Sequence, residues 1–369
     1  MLREQFPANY DNSSMHIVFS SGCDQEQRLL FATVLQDSAT RVGQKGPITQ
    51  IIAGCIAEKQ AEILNEPRFY YDFRVHFTPS YNPHPVPEVD DWYTPYNKPF
   101  SLRDFLRNAS PPMQHEIITL IDGDFLFLQP IEINTGRNVS MYYKGSRDPL
   151  TVTDTVKDGV AIAQDWTHII GAGFYGNETR KQFLCAGKPC FDYSTEDDME
   201  YFSGTGPPYI MTKNDMLRFI DDYCHFVVEG RKVSDDWMTE MYGYAMAAAN
   251  HGIKHTILTN LGVSAPYRDG HEYWSFLQDD SLNVNPCTDP YEVAMPQNPP
   301  VGLHYFYIYM LKDKSRCFNK REIPKNILKC DQMMLEIPKA SEYDAVFTQY
   351  KDNPPSMAQK RAEVWTECT

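Results

Sequence analysis

One stretch constrains this chain more than any other, His115 to Pro130, reading HEIITLIDGDFLFLQP. Ile117, Ile118, Thr119, Leu120 and Ile121 form an unbroken, largely β-branched run, the pattern of a strand buried on both faces. The run breaks at Asp122, Gly123 and Asp124, then resumes with Phe125, Leu126, Phe127 and Leu128. Two carboxylates one residue apart at the end of a buried strand are costly unless a cation neutralises them. Carboxylate oxygens suit hard divalent ions such as manganese and magnesium, so Asp122 and Asp124 read as candidate metal ligands. Gly123 between them lets backbone and ligand approach closely. A strand-end turn uses the same residue types, and the tripeptide alone leaves both readings open.

The preceding segments supply a frame. Residues 15–20 (MHIVFS) predict a first strand, opening into a loop at Ser20, Ser21, Gly22 and Cys23, with a helix over about 25–38. A strand over 48–53 (ITQIIA), a helical stretch to Leu64 and a strand near 71–78 follow. This alternation begins an α/β fold with a parallel sheet, whose ligand lies at the strands' carboxyl ends. No Gly-x-Gly-x-x-Gly and no phosphate-loop lysine motif occurs, which argues against a dinucleotide enzyme or a phosphate-loop ATPase. Asn97 and Lys98 precede a helix over about 101–108, where Lys98 suits a phosphate or a metal-site carboxylate as well as open solvent.

Later segments add candidates. Gly204, Gly206, Pro207 and Pro208 predict a rigid turn before a short strand, and Thr212 with Asp215 a helix start. Ser234 is placed to cap a helix running from Asp235 through Ala249, which would set Asp236 and Glu240 on one face. First-turn acids ordinarily complement the helix dipole. Glu240, between Trp237 and Met241, is harder to explain so. Val301 to Met310 is strand-like, and His304 within it reads as a core histidine or a ligand. Lys312, Lys314, Arg316, Lys320 and Arg321 form the one basic cluster.

A net charge of -15 with no basic block argues against nucleic acid and against anionic lipid surfaces. A nucleotide diphosphate would need metal and a few Lys or Arg close by. Nine cysteines without zinc-ribbon spacing favour disulfides in a secretory compartment. Sequons at Asn12, Asn108, Asn138 and Asn177 lean the same way. No run has signal-peptide or membrane-span length, so the chain is expected to be soluble as written or to have lost an anchor.

Eight segments in order, IVFSSGC, GPITQIIAGC, YNKPFSL, LIDGDFLFLQP, GTGPPYIMT, TEMYGYAMAAA, GLHYFYIY and FNKREIPKNILKCDQMMLEIP, resemble the peptidyl serine α-galactosyltransferases and the related hydroxyproline O-arabinosyltransferases, over about residues 15–338. The resemblance implies a GT-A-like fold over 15–310, between an N-terminal extension (1–14) and a Cys-containing basic extension (311–369). It also implies a secretory location in the Golgi or endoplasmic reticulum, a UDP-sugar donor and a Ser/Hyp-rich protein acceptor. Asp122, Asp124 and His304 would hold the metal, manganese first and magnesium second. Ser20, Ser21, Gly22, Asn97, Lys98, Gly123 and Lys320 would join the two aspartates around the donor. Gly206, Pro207, Pro208, Tyr209 and Trp237 would wall the acceptor groove.

The expected reaction is transfer of galactose from a UDP-sugar to a peptide hydroxyl, with arabinofuranosyl transfer to hydroxyproline as the sister activity. Were configuration inverted, Glu240, then Asp236, would be the base; were it retained, Glu240 would position the sugar. Two other classes compete. A haloacid-dehalogenase-type phosphohydrolase needs a small hydroxyl residue where this chain has Leu126, and a non-catalytic sugar- or peptide-binding descendant of the same fold needs no intact aspartate pair.

Overall fold

The computed structural model describes residues 15–84, 88, 90–171, 176–264, 271–278, 297–306, 309–310, 317–318, 320–321, 323–329 and 331. In chain order the main elements are β1 (His16–Gly22), α1 (Arg28–Arg41), β2 (Ile48–Ala53), α2 (Ala57–Leu64), β3 (Phe73–Thr78), α3 (Asn97–Asn108), β4 (Ile117–Ile121) and β5 (Phe125–Phe127). They continue with β6 (Val160–Asp165), α4 (Thr167–Ile170), α5 (Glu178–Cys185), α6 (Thr195–Tyr201), β7 (Thr205–Thr212), α7 (Lys213–Arg231), α8 (Thr239–Asn250), β8 (Lys254–Leu258) and β9 (Gly302–His304).

Seven strands form one sheet in the order β3-β2-β1-β4-β7-β6-β8. Strands β3, β2, β1 and β4 are parallel; β7 runs antiparallel to β4 and β6, and β6 is parallel to β8. The continuous apolar runs of β2 and β4 are explained by their position, since every residue of both is buried. On one face, Val18, Ile51, Ile118 and Leu120 pack with residues of α3, α7 and α8. On the other, Ile17, Phe19 and Ile121 pack with α1 and the irregular segment carrying Val139 and Val152. Helices α7 and α8 approach so closely at Gly243 that a Cβ there would overlap Val227.

Chain direction reverses its side of the sheet at β1, with β2 on one flank and β4 on the other. In open α/β sheets the crevice for ligands lies at such a switch, beyond the strands' carboxyl ends. That edge holds Ser20–Gly22, Ala53 and Asp122.

Several elements differ from the sequence-based expectation. Ser20, Ser21 and Gly22 are not loop but the end of β1, paired with Ile51, Ile52 and Ala53. Helix α1 starts at Arg28 because residues 25–27 turn first, Arg28 N–H reaching Gln25 C=O at 3.0 Å. Residues 205–212 are one buried strand rather than a turn and a short strand. Pro207 and Pro208 have no N–H to give, and the β6–β7 register slips there, from Ala163↔Tyr209 to Gln164↔Gly206. Helix α8 begins at Thr239, so Asp236 lies in the turn before it, its C=O accepting from Thr239 N–H and Oγ1. The run 169–176 (IIGAGFYG), whose three glycines among apolar residues suggest close backbone approach, has 172–175 outside the described residues, where Lys312, Lys314 and Arg316 also lie.

Cys23–Cys55 and Cys185–Cys190 are disulfides, and Cys224 is a buried thiol. The first staples the segments leaving β1 and β2. Disulfides persist in oxidising compartments. Among the described residues, no helix is long and apolar enough to cross a membrane.

Candidate metal and donor site

Asp122 follows the last residue of β4, and Asp124 sits at the start of β5. The short strand β9 pairs antiparallel with β5, Phe125 opposite His304. Tyr305 N–H donates to Asp124 C=O at 3.0 Å. This pairing brings His304 to the two aspartates across about half of the chain. Its Nε2 lies 3.5 Å from Asp122 Oδ2 and 3.3 Å from Asp124 Oδ1. Trp166 stacks on its ring, centroids 5.3 Å apart at 25°.

The remaining carboxylate oxygens face lysines. Lys98, in the first turn of α3, places Nζ 2.8 Å from Asp122 Oδ1 and 3.1 Å from Glu240 Oε2. Lys320 pairs with Asp124 Oδ2. Glu240, in the first turn of α8, is 4 % exposed, and its other oxygen accepts from the Tyr223 hydroxyl. Burial disfavours the charge on Lys98, but Asp122 and Glu240 outweigh it and raise its affinity for the proton. Burial likewise opposes ionisation of Asp124, yet His304 and Lys320 hold that carboxyl well below the usual carboxylate range. For Glu240 burial wins over Lys98 and Tyr223, and its pKa is pushed up.

The donor set suits a metal. One atom from each of Asp122, Asp124 and His304 lies within 4.8 Å of the others. Neighbouring ligands of a six-coordinate ion with bonds of about 2.1 Å sit about 3 Å apart, close to the 3.3 and 3.5 Å seen here. Two carboxylates and an imidazole are compatible with manganese or magnesium.

Beside Asp124 opens a pocket of about 360 Å³ at the carboxyl end of β1, lined in part by Ser20, Ser21, Gly123, Asp124 and Lys320. Its floor holds residues that sequence reasoning missed. Gln50 Nε2 donates to Ser21 Oγ at 3.0 Å, and Arg28 reaches Gln50 Oε1 and pairs with Glu66. The available signal was Gln50 itself, a polar residue inside the apolar run ITQIIA. Nothing in the sequence marks Arg28 or Phe31, which also lines the pocket.

The other expected site residues are scattered. Gly22 ends β1 and Asn97 turns its Oδ1 to the Tyr81 N–H, 2.8 Å away, rather than to the aspartates. Asp236 is exposed, accepting from Met238 N–H and the Tyr242 hydroxyl. Tyr209 is fully buried against Tyr244, and Pro207 and Pro208 are buried in β7. Gly206 has a definite job: a Cβ there would overlap the indole of Trp166, the ring that stacks on His304. Trp237 is 60 % exposed, edge-on to Tyr93.

The seven-stranded, mostly parallel sheet with helices on both faces is consistent with a GT-A-like fold. No family model matches the chain. It is 24% identical over 268 residues, 70% of its length, to a protein of Arabidopsis thaliana named peptidyl serine alpha-galactosyltransferase. It is 22% identical over 243 residues, 58% of its length, to a Chlamydomonas reinhardtii protein of the same name. The aligned stretches are 29% and 27% of those relatives, so the chain spans under a third of the length of the curated proteins it matches. These comparisons point to the glycosyltransferase class, the same group that the eight sequence segments resemble.

Proposed function

We propose that the chain is a metal-dependent glycosyltransferase that moves a sugar, galactose first, from a UDP-sugar to a serine or hydroxyproline hydroxyl of a protein. The observation that carries this reading is the convergence of Asp122 Oδ2, Asp124 Oδ1 and His304 Nε2 beside a pocket at the sheet's switch point. The names of the two relatives supply the sugar and the acceptor.

In this reading Asp122, Asp124 and His304 hold a divalent ion, manganese before magnesium. When bound, the ion offsets negative charge on the departing diphosphate. Lys98 and Lys320 flank the same region and add fixed positive charge where a diphosphate would lie. The pocket floor of Ser21, Gln50 and Arg28 offers polar groups to the nucleoside. Both oxygens of Glu240 are engaged, by Lys98 and Tyr223, so its role is to hold the ammonium of Lys98 rather than to take the acceptor proton. Asp236, exposed and turned into its own cap, is left as the weaker alternative for a base. The disulfides support a luminal, secretory setting.

The test is UDP release from UDP-galactose and UDP-arabinofuranose, with manganese or chelator, with and without a Ser- and Hyp-containing peptide. Manganese-dependent release from UDP-galactose that rises with the peptide is expected. Preference for UDP-arabinofuranose would move the assignment to the sister activity. No release from any donor by folded protein would overturn it in favour of a binding protein.

A further inference from the structure

The tripeptide Asp-Asp-Trp occurs twice, as Asp90-Asp91-Trp92 and as Asp235-Asp236-Trp237, in parts of the chain far apart in sequence. The fold brings the two copies to one place. Arg231 donates through Nε to Asp91 at 2.9 Å and through Nη2 at 3.1 Å, and the same Nη2 lies 3.9 Å from Asp235. Its guanidinium sits 4.4 Å from the centre of the Tyr93 ring. Tyr93, next to Trp92, meets Trp237 edge-on at 5.8 Å and donates its hydroxyl to the Trp237 C=O at 2.5 Å.

Both tryptophans nevertheless face solvent, Trp92 at 73 % and Trp237 at 60 %, whereas Trp166 and Trp274 are each 3 % exposed. Indoles left in water beside such a bonded frame are characteristic of interaction surfaces, where flat apolar area anchors a partner. The rim is acidic: Glu88, Asp90 and Asp235 are exposed, in a chain of net charge -15. Two cations beside it are engaged, Arg231 by Asp91 and Lys232 by Glu229. This charge opposes nucleic acid and anionic lipid, and a neutral glycan would gain nothing from it. A cationic, extended polypeptide satisfies both features, laying ring and methylene surface on the indoles and its ammonium or guanidinium groups on their faces and on the carboxylates.

The surface also adjoins the candidate site. The Tyr93 oxygen that bonds Trp237 accepts the Glu240 N–H at 2.9 Å, and Glu240 in turn holds Lys98. We propose that the paired Asp-Asp-Trp loops are the docking surface for a positively charged, extended polypeptide. That this polypeptide is the glycosyl acceptor rests on the function proposed above; the docking itself does not.

The test is calorimetric binding of two short peptides, one of repeating Ser-Pro-Lys and one of repeating Ser-Pro-Glu, and of a neutral oligosaccharide, to the full chain without donor or metal. The Lys peptide is expected to bind, to weaken as salt is raised, and to lose about tenfold or more in affinity in the Trp92→Ala/Trp237→Ala variant. The Asp90→Lys/Asp235→Lys variant, which keeps both indoles, is expected to exchange preference for the Lys peptide with preference for the Glu peptide. Circular dichroism verifies that each variant is folded. Equal affinity of the wild type for all three probes, binding unchanged in both variants, or no peptide binding would each overturn the proposal. Peptide preference retained without sugar transfer would remove the proposed function and leave the docking surface standing; sugar transfer with no peptide preference would do the reverse.

Discussion

Asp122 and Asp124 divide their oxygens in the same way, one turned to His304 Nε2 and the other to a lysine, Lys98 for the first and Lys320 for the second. The inner pair is therefore the metal-facing pair, and the outer pair is neutralised without it. Replacing either inner oxygen with an amide nitrogen removes a ligand but changes little volume. Asp122→Asn and Asp124→Asn are expected to fold normally and to lose about a hundredfold in manganese affinity, read by isothermal calorimetry or by electron paramagnetic resonance of the free ion. Wild-type affinity in both variants would show that these oxygens do not hold the ion.

Lys98 is enclosed by Asp122 on one side and Glu240 on the other. Removing the ammonium alone leaves the buried Glu240 carboxylate without its cation, so Lys98→Met is expected to cost about 3–5 kcal/mol. Glu240→Gln added to it removes the stranded charge and should recover part of that loss. The double-mutant cycle, measured by urea denaturation, is expected to show strong coupling. Additive losses would mean that the ion pair seen here contributes nothing to folding.

Gly206 matters through Trp166. Its replacement by alanine would push the indole toward His304, at an overpacking cost of about 1–3 kcal/mol. The variant should therefore bind manganese more weakly although residue 206 touches no ligand atom. Unaltered metal affinity in a destabilised protein would confine Gly206 to packing.

His255 supplies a pH dependence outside the site. It is fully buried with its Nε2 2.9 Å from the Tyr244 hydroxyl, and burial lowers its pKa from 6.5 to about 4. The unfolded chain takes up this proton near its ordinary pKa and the folded chain resists it. The corresponding stability is complete above pH 6.5 and is lost as pH falls toward 4, on the order of 2–3 kcal/mol. His255→Gln, which does not titrate, should flatten urea midpoints plotted over that window. An unchanged slope would assign the acid sensitivity to other groups.

The parts of this architecture legible in the sequence are those set by local pattern. β2 and β4 announce themselves as apolar runs, and Thr212 caps α7 as expected, its Oγ1 accepting the Asp215 N–H at 3.1 Å. Asp122, Asp124 and His304 stand out because charge or imidazole interrupts apolar residues, and the structure brings them together with Lys98. What pattern cannot convey is pairing. β6 ends in Gln164 and Asp165 and β8 opens on Lys254 and His255, so neither shows an unbroken apolar run. The front of β7 reads as a turn before a short strand because two prolines argue against a central strand, whereas all of 205–212 is strand. The polar floor formed by Arg28, Gln50 and Ser21 comes from three separate elements, and no single stretch of sequence encodes it.

The pairing of β9 on β5 has a consequence for the order in which the molecule is completed. A growing chain that has just passed Leu258 already contains all seven strands of the sheet, both aspartates, Lys98 and Glu240. It lacks His304 and Lys320. Synthesis runs from the N-terminus, so all seven strands of the sheet are available while the aspartate pair still has one lysine and no imidazole. The centre is closed by segments made after the sheet, and a chain interrupted between those points would carry every strand of the sheet but lack the imidazole and the second lysine.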